Sequence, residues 1–311
     1  MSEMIATRDA FGKSLEELGG EYDFYVLDAD LSKATKTVFF KEKYPDRFFN
    51  IGIAECNMMG VAAGIASCGK TVVASSFAMF SAGRAYEQVR NSICYTNLNV
   101  KVIGTHGGVA IGEDGGSHQC IEDLSLMRTL PNMTVLNPSD GKSTKDLLEA
   151  AINHKGPVYI RLGKNPQPIL YDNEMDIKIG KGVILREGTD IAIFATGVMV
   201  SIALEAADLL SRDGIEAKVI DIHTIKPIDK DLIIASAKQT RAVITVEDHN
   251  VIGGLGSAVS EVLSESCPIM VKKIGVEDVF GRSGKSEDIL ERYGLTAQNI
   301  YNQSKQVVLA K

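Results

Sequence analysis

The chain has 311 residues, of which 45% are hydrophobic, and its formal net charge is −7. This length and apolar content suffice for two domains of ordinary size, each with its own core. The acidic balance and the lack of a basic block argue against a nucleic-acid-binding protein. No apolar run reaches the roughly 18 residues of a membrane span. The segment from Met1 to Asp9 also has no apolar signal-peptide region.

The five cysteines are scattered, and no two have the C-x-x-C spacing of a zinc site (Cys56, Cys68, Cys94, Cys120 and Cys267). The sequence therefore predicts neither a metal site nor a disulfide framework. Unpaired cysteines of this kind are typical of a reducing compartment, so a cytoplasmic location is expected.

The first half of the chain alternates between predicted helices and strands. A helix is predicted over 4–18, where apolar residues recur at helical spacing before Gly19-Gly20. Short apolar runs predict strands at 24–27, 72–77, 100–104, 133–138 and 158–162. Strands that alternate with helices indicate a mostly parallel sheet covered on both faces. Residues 1–165 are therefore assigned to one domain.

The second half repeats this pattern after a break. A polar stretch at 166–189, preceded by Gly163-Lys-Asn-Pro, is predicted to be a linker. Strands are then predicted at 191–197, 217–221, 242–247 and 270–275, with helices between them. Residues 190–311 are assigned to a smaller domain. The predicted fold class is α/β, with two domains that each have a mostly parallel sheet flanked by helices.

Glu55 lies at the centre of the stretch that is most typical of a binding site, from Phe48 to Asp123. The apolar run 48–54 before it predicts a strand end, and the small residues at 60–66 predict a tightly packed helix. A carboxylate between two such elements is expected to be buried, where it can hold or share a proton. From the residues alone, a solvated charge at a helix N-terminus is the simpler interpretation.

Aromatic residues and histidines follow the predicted strands. Phe77 and Phe80 are either core aromatics or a wall for a flat ring. His106 and His118 lie in polar, glycine-rich loops, a setting more typical of binding sites than of cores. Asp114, in Glu-Asp-Gly-Gly, could equally be a turn-forming residue.

Four segments resemble the pyrimidine-binding domain of the transketolases, which use thiamine diphosphate. They are Ile51-Gly-Ile-Ala-Glu55, Ser76-Phe-Ala-Met-Phe80, Thr105-His106 and Gly112-Glu-Asp-Gly-Gly-Ser-His-Gln119. They occur in family order and at family spacing. The resemblance covers most of residues 1–165 and, more weakly, the rest. It implies an enzyme that moves a two-carbon ketol unit between sugar phosphates.

The resemblance implies a cofactor site. Glu55 would hydrogen-bond a ring nitrogen of the cofactor's aminopyrimidine, and Phe77 and Phe80 would form the aromatic wall of its pocket. His118 would lie near the reacting carbon and the cofactor. Asp30 would also contribute to this site, because it follows a predicted strand at the edge where ligands gather in open α/β sheets.

The resemblance also implies a substrate site. Arg8, His106 and Arg161 would contact the sugar phosphate, and guanidinium groups suit phosphate oxygens. Arg161 ends a strand that is predicted to be buried, where a charged residue needs a partner. Asp114 would hydrogen-bond the substrate hydroxyl next to the aldehyde.

The chain departs from the family pattern in two places. A serine that often contacts the phosphate corresponds to Ala34, and a polar neighbour within 32–35 could replace it. An aromatic residue that many relatives have three positions after Phe80 corresponds to Gly83, which Arg84 follows. The far edge of the cofactor pocket is therefore left open.

Transketolases also have an N-terminal domain with a Gly-Asp-Gly motif for the metal and the diphosphate, and this sequence contains no Gly-Asp-Gly. The chain is therefore expected to be the C-terminal subunit of a split transketolase, with no metal site of its own. A separate N-terminal subunit would hold most of the Mg²⁺ site. Self-association is also expected, with two copies of each subunit, and the second domain would mainly build this oligomer.

Three alternatives stay open. The beta subunit of a 2-oxo-acid dehydrogenase has a similar length and domain order. Deoxyxylulose phosphate synthase shares the cofactor and much of the fold. The third alternative is a catalytically silent binding subunit.

Overall fold

The computed structural model describes residues 4–172, 175 and 177–311. Part of the predicted linker, residues 173, 174 and 176, lies outside the described residues. Elements of the first half are β1 (Met4–Ala6), α1 (Thr7–Leu18), β2 (Phe24–Asp28), α2 (Ser32–Thr35), α3 (Val38–Lys43), β3 (Phe48–Asn50), α4 (Glu55–Ser67), β4 (Thr71–Phe77), α5 (Tyr86–Gln88), β5 (Val100–Thr105), α6 (Asp123–Arg128), β6 (Thr134–Leu136), α7 (Gly141–Asn153) and β7 (Val158–Arg161). Two π-helical turns, Met79–Arg84 and Val89–Cys94, flank α5.

Elements of the second half are β8 (Pro166–Pro168), β9 (Val183–Arg186), β10 (Ile191–Ala195), α8 (Met199–Arg212), β11 (Ala217–Asp221), β12 (Thr224–Lys226), α9 (Lys230–Thr240), β13 (Val243–Asn250), α10 (Leu255–Ser266), β14 (Val271–Val276), α11 (Ser286–Arg292) and α12 (Ala297–Leu309). Among the described helices, none combines the length and apolar character that crossing a bilayer needs.

The first sheet has seven strands in the order β12-β6-β7-β5-β4-β2-β3. All of its neighbours are parallel except β12, which pairs antiparallel with β6. One apolar cluster contains Phe11 and Leu15 of α1 with Leu147 of α7, and another contains Met58 and Met59 of α4. The predicted parallel sheet with a helical cover is therefore confirmed.

The second sheet has five strands in the order β14-β13-β10-β11-β9, and only β9 runs antiparallel to its neighbour. This sheet confirms the second α/β domain, but its edges differ from the prediction. Strand β9 lies within the predicted linker, yet it extends the second sheet, while β8 pairs with β1. Strand β12 comes from the second half and completes the first sheet, so the two halves share a sheet.

Helix α4 forms where the small-residue segment predicted it, but one of its faces is open. Met58, Met59 and Ala62 are buried on the inner face. An added Cβ at Gly60 or Gly64 would meet no atom of the described chain within 4 Å. The tight packing that the sequence predicts is therefore present on only one side of this helix.

Candidate active site

The predicted site residues gather at one edge of the first sheet. The parallel order β3-β2-β4-β5 places the carboxyl ends of these four strands side by side. Glu55 follows β3, Asp30 follows β2, Phe77 ends β4 and His106 follows β5. Ligands of open α/β sheets bind at this kind of edge.

Glu55 is the first residue of α4 and is only 2% exposed, so the predicted burial is found. Its surroundings are not purely apolar. Arg84 Nη1 donates a hydrogen bond to Glu55 Oε2 at 3.0 Å, and the Arg84 guanidinium carbon lies 4.5 Å from the centroid of the Phe80 ring. This ion pair partners a carboxylate that would be costly to bury alone.

Arg84 reaches this position because of the π-helical turn that precedes α5. The backbone N–H of Ala85 donates to the carbonyl of Phe80 at 3.1 Å, which closes a turn wider than that of an α-helix. Ser81 Oγ donates to the carbonyl of Ile103 at 2.9 Å and fixes the turn to β5. The Arg84 guanidinium therefore lies at the edge of the pocket for which the sequence made no prediction.

Phe77, Phe80, His106 and His118 form one aromatic cluster. The rings of Phe77 and Phe80 stack, with centroids 6.0 Å apart and planes at 17°. The His106 ring lies 3.9 Å from that of Phe77, and His118 meets Phe80 edge-on at 5.3 Å. Four residues that were predicted from three separate segments therefore lie together.

His106 is a neutral imidazole. Its Nε2 lies 2.9 Å from Arg8 Nη1 and its Nδ1 lies 2.9 Å from Thr105 Oγ1. A guanidinium can only donate, so Nε2 accepts, and we assign the ring proton to Nδ1. Burial, together with the Arg8 cation, lowers the pKa of His106 to about 3.

Arg8 and Lys164 come together because the start of α1 contacts the loop after β7. Gly163 N donates to Thr7 Oγ1 at 2.7 Å, and Arg8 N donates to the carbonyl of Gly163 at 3.3 Å. Lys164 Nζ lies 2.9 Å from Asp114 Oδ2. Two partly exposed cations therefore lie near His106 and Asp114, which is the arrangement that an anionic substrate group needs.

The segment at 32–35 contributes backbone to the cationic rim, the edge of the site formed by Arg8 and Lys164. Arg8 Nη1 donates to the carbonyl of Ala34 at 3.3 Å. Thr35 is buried and its Oγ1 donates to Asp28 Oδ2 at 2.7 Å, so it is not available in place of the missing serine. Burial also raises the pKa of Asp28. The exposed Asp30 has a φ of 65° and accepts a hydrogen bond from Asn50 Nδ2 at 2.8 Å.

The structure corrects the predicted role of Arg161. This residue is 4% exposed, and its Nε lies 3.1 Å from Asp123 Oδ2. Its Nη2 donates to the carbonyls of Asp248 at 2.7 Å and Cys120 at 3.1 Å. The partner that a charged residue in this strand needs is thus Asp123, and the guanidinium packs behind the backbone of Gly107. It does not reach the rim where a phosphate would bind.

We expect Arg161→Ala to lower the free energy of unfolding by about 3–5 kcal/mol, because it leaves the buried carboxylate of Asp123 without its cation. Chemical denaturation of the full chain measures this change. Arg186→Ala is the control, since Arg186 pairs with the largely exposed Asp208 and its loss should change stability by less than about 1 kcal/mol. Equal stabilities of the two variants would contradict a structural role for Arg161.

Sequence reasoning missed Lys164 and did not assign Arg84. Both had a weak signal: Lys164 is the next cation after Arg161 and lies in a loop beyond the strand, and Arg84 follows the glycine that breaks the aromatic pattern. A cavity of about 520 Å³ opens beside Arg84. It is lined by Met79, Phe80, Gly83, Arg84, Gly116, Ser117, Gln119, Glu122 and Phe280.

Comparison with protein families agrees with this geometry. Residues 3–168 match the model of the transketolase pyrimidine binding domain, and residues 180–300 match that of the transketolase C-terminal domain. The chain belongs to the transketolase family. The recognition that rested on four short segments is thereby confirmed.

Individual relatives show which part of a transketolase this is. The chain is 48% identical to a putative transketolase C-terminal section from Methanocaldococcus jannaschii, over 94% of this chain and 93% of that protein. It is 41% identical to a 6-deoxy-6-sulfo-D-fructose transketolase subunit from a Clostridium species, over 98% and 95%. A solved split-gene transketolase, an inactive beta4 tetramer, superposes with a TM-score of 0.92 at 52% identity, over 98% and 99% of the two chains.

The chain is thus a transketolase C-terminal subunit, and its enzyme class is transferase. The dehydrogenase and synthase alternatives are set aside, because these relatives are transketolases over nearly their whole length.

Transketolases use thiamine diphosphate, and the residues at this edge fit the pyrimidine end of that cofactor. Phe77 and Phe80 offer a stacked aromatic wall, and Glu55 presents a carboxylate beside it. The diphosphate end requires a bound cation. Within the described part of the chain, no group of three His, Cys, Asp or Glu side chains could hold a metal ion.

Proposed function

We propose that this subunit takes part in the transfer of a two-carbon ketol unit between sugar phosphates, and that it does so only with a separate N-terminal subunit. The observation that carries this proposal is the joint placement of a buried carboxylate, an aromatic wall and two histidines next to a cationic rim. The bound cofactor supplies the nucleophilic carbon that carries the two-carbon unit. The residues of this chain bind, orient and exchange protons around it.

In this proposal Glu55 and His118 are the catalytic residues. Glu55 would hold the aminopyrimidine by sharing a proton with one of its ring nitrogens, and the Arg84 guanidinium, which covers the Phe80 ring, would have to move aside. Phe77 and Phe80 fix the plane of the ring. His118 lies edge-on to Phe80, and it is assigned a place near the reacting carbon on the strength of this contact with the aromatic wall.

The substrate site is proposed to use Arg8 and Lys164 for the terminal anion, with His106 Nε2 orienting the Arg8 guanidinium, and Asp114 for a hydroxyl. Arg8 can form charge-assisted hydrogen bonds to phosphate oxygens, and Lys164 adds a point charge. Asp114 is partly exposed, and Lys164 Nζ contacts its Oδ2, so its Oδ1 is proposed as the acceptor for a sugar hydroxyl. Asp30 is proposed to line the cofactor site, on the strength of its place at the end of β2.

The partner subunit is proposed to hold the diphosphate and the Mg²⁺, because this chain has no Gly-Asp-Gly motif. A closed assembly of two copies of each subunit would keep every site at a contact between unlike chains. Self-association agrees with the beta4 assembly of the solved relative and with the open glycine face of α4.

The decisive experiment is co-expression with a transketolase N-terminal subunit that carries Gly-Asp-Gly, followed by an assay with a ketose phosphate and ribose 5-phosphate. The proposal expects transfer of two carbons that depends on both subunits, on thiamine diphosphate and on Mg²⁺. A second arm replaces the donor by 6-deoxy-6-sulfo-D-fructose, since one relative carries that sugar in its name. A fully loaded complex that transfers no ketol unit from either donor would refute the proposed function.

We expect Lys164→Ala to raise the KM for phosphorylated sugars by about 10- to 150-fold, because it removes a contact to the anion worth ~1.5–3 kcal/mol. His106→Ala should raise the same KM, because it removes the Nε2 acceptor that orients the Arg8 guanidinium. Steady-state kinetics with phosphorylated and unphosphorylated acceptors measure the effect. Lys142→Ala is the control, since Lys142 pairs with Asp146 on α7 and leaves the rim intact. An equal loss with glycolaldehyde would show that neither residue acts through the phosphate.

A further inference from the structure

The loop between β5 and α6 carries His106, Asp114 and His118, and much of its support comes from the second domain. Four of the six residues from Gly107 to Gly112 are glycine or alanine, so other parts of the chain must fix much of their backbone. Ser286 Oγ donates to the carbonyl of Ala110 at 2.6 Å. Gln119 Nε2 ties the end of the loop to the carbonyl of Arg282 at 2.9 Å.

The most direct of these supports is Asp248 of β13, which is 2% exposed. Its Oδ1 accepts a hydrogen bond from the backbone N–H of Val109 at 2.8 Å, and its Oδ2 accepts one from that of Ala110 at 3.2 Å. A carboxylate is the side chain that can receive two adjacent N–H groups in this way, because an amide offers only one acceptor atom.

Gly108 makes this contact possible. Its φ of 83° lies in the left-handed region, which disfavours other residues. A Cβ at this position would also lie 2.0 Å from Asp248 Oδ2. The loop and the carboxylate therefore approach each other as closely as a glycine backbone allows.

We propose that Asp248 is a positioning residue of the substrate site, whose carboxylate fixes the loop backbone and so the places of His106 and Asp114. This inference rests on the proposed substrate-binding role of that loop. It assigns the second domain a part in binding as well as in assembly. Arg161 supports the same arrangement from behind, because it donates to the Asp248 carbonyl rather than to the carboxylate.

Asp248→Asn tests the proposal, with Glu247→Gln as a matched control. Glu247 is the adjacent buried carboxylate and also accepts two backbone N–H groups, those of Leu255 and Gly256, each at 2.7 Å. It holds the start of α10 instead of the loop. The two variants therefore make the same chemical change in the same strand, and only one of them touches the loop.

Two readouts are needed. In the reconstituted enzyme, we expect Asp248→Asn to raise the KM for the phosphorylated donor about tenfold or more, and Glu247→Gln to change it by less than about twofold. In the full chain alone, hydrogen exchange should become faster in peptides covering 107–112 for Asp248→Asn. For Glu247→Gln it should become faster in peptides that contain Leu255 and Gly256.

A second pair of variants keeps the proposal testable if Asp248→Asn folds poorly. In Gly108→Ala the added methyl group collides with the Asp248 carboxylate and displaces it without changing its charge. We expect the same rise in KM. Gly69→Ala is its control, because Gly69 has a similar φ of 85° with no atom within 4 Å of the added Cβ.

Unchanged exchange at 107–112 in both loop variants would overturn the anchoring step. Faster exchange there with an unchanged KM would overturn the positioning step. The proposed function itself would be in question only if His106→Ala also left the KM unchanged.

Discussion

Replacing Glu55 by Gln should reduce turnover of the reconstituted enzyme by about 10²–10⁴-fold or more, the range lost when a positioned proton-transfer group is removed. The amide has the same shape, and its oxygen can still accept the hydrogen bond from Arg84. It cannot hold or release a proton at the aminopyrimidine. The loss should therefore appear in kcat, while the assembly of the subunits and the melting temperature stay close to those of the unchanged protein.

Calorimetry separates this expectation from a folding defect. The Kd for thiamine diphosphate in the presence of Mg²⁺ should change far less than kcat in Glu55→Gln. Glu149→Gln is the control for the same substitution elsewhere in the domain, because the Glu149 side chain on α7 accepts a hydrogen bond from Tyr22 at 2.7 Å and lies outside the site. Turnover of Glu55→Gln close to that of the control would remove Glu55 from the mechanism.

The order of helices and strands could be predicted because it depends on local patterns. Apolar runs bounded by turn residues predicted the central strands, and the alternation with helices predicted parallel sheets. The short strands β8, β9 and β12 could not be predicted in the same way. Each has only three or four residues, and its pairing partner lies far away in the sequence.

The grouping of the residues proposed for the cofactor could be predicted better than the position of Arg161. Glu55, Phe77, Phe80 and His118 lie directly at strand ends or in short motifs, so their neighbourhood follows from the sheet order. Arg161 could not be assigned correctly from its own strand. The sequence showed that this charge needs a partner, but only the folded chain shows that the partner is Asp123.

Arg84 illustrates a third limit. Its approach to Glu55 depends on a π-helical turn, which widens the helix locally and for which the sequence gives no periodic signal. The glycine at position 83 marked a departure from the family pattern without indicating its result. The structure shows that the next residue, Arg84, contacts both the Glu55 carboxylate and the Phe80 ring.

The full chain without its partner should show no ketol transfer and should bind thiamine diphosphate only at millimolar concentration or not at all. It offers Glu55 and the Phe77–Phe80 wall to the aminopyrimidine, which has roughly nine non-hydrogen atoms. At ~0.3 kcal/mol per atom these give ~3 kcal/mol, or a Kd weaker than about 1 mM. Arg84 weakens binding further, because its guanidinium must leave the Phe80 ring and the Glu55 carboxylate before the cofactor can contact either of them.

Calorimetry with Mg²⁺ and thiamine diphosphate on the chain alone, on the N-terminal subunit alone and on the mixture decides this expectation. The mixture should bind far more tightly than either subunit and should be the only sample with transferase activity. Arg84→Ala should strengthen binding to the mixture, since it frees the Glu55 carboxylate and uncovers the Phe80 ring. Micromolar binding and ketol transfer by this chain alone would instead place the diphosphate site here, within residues that carry no recognised metal motif.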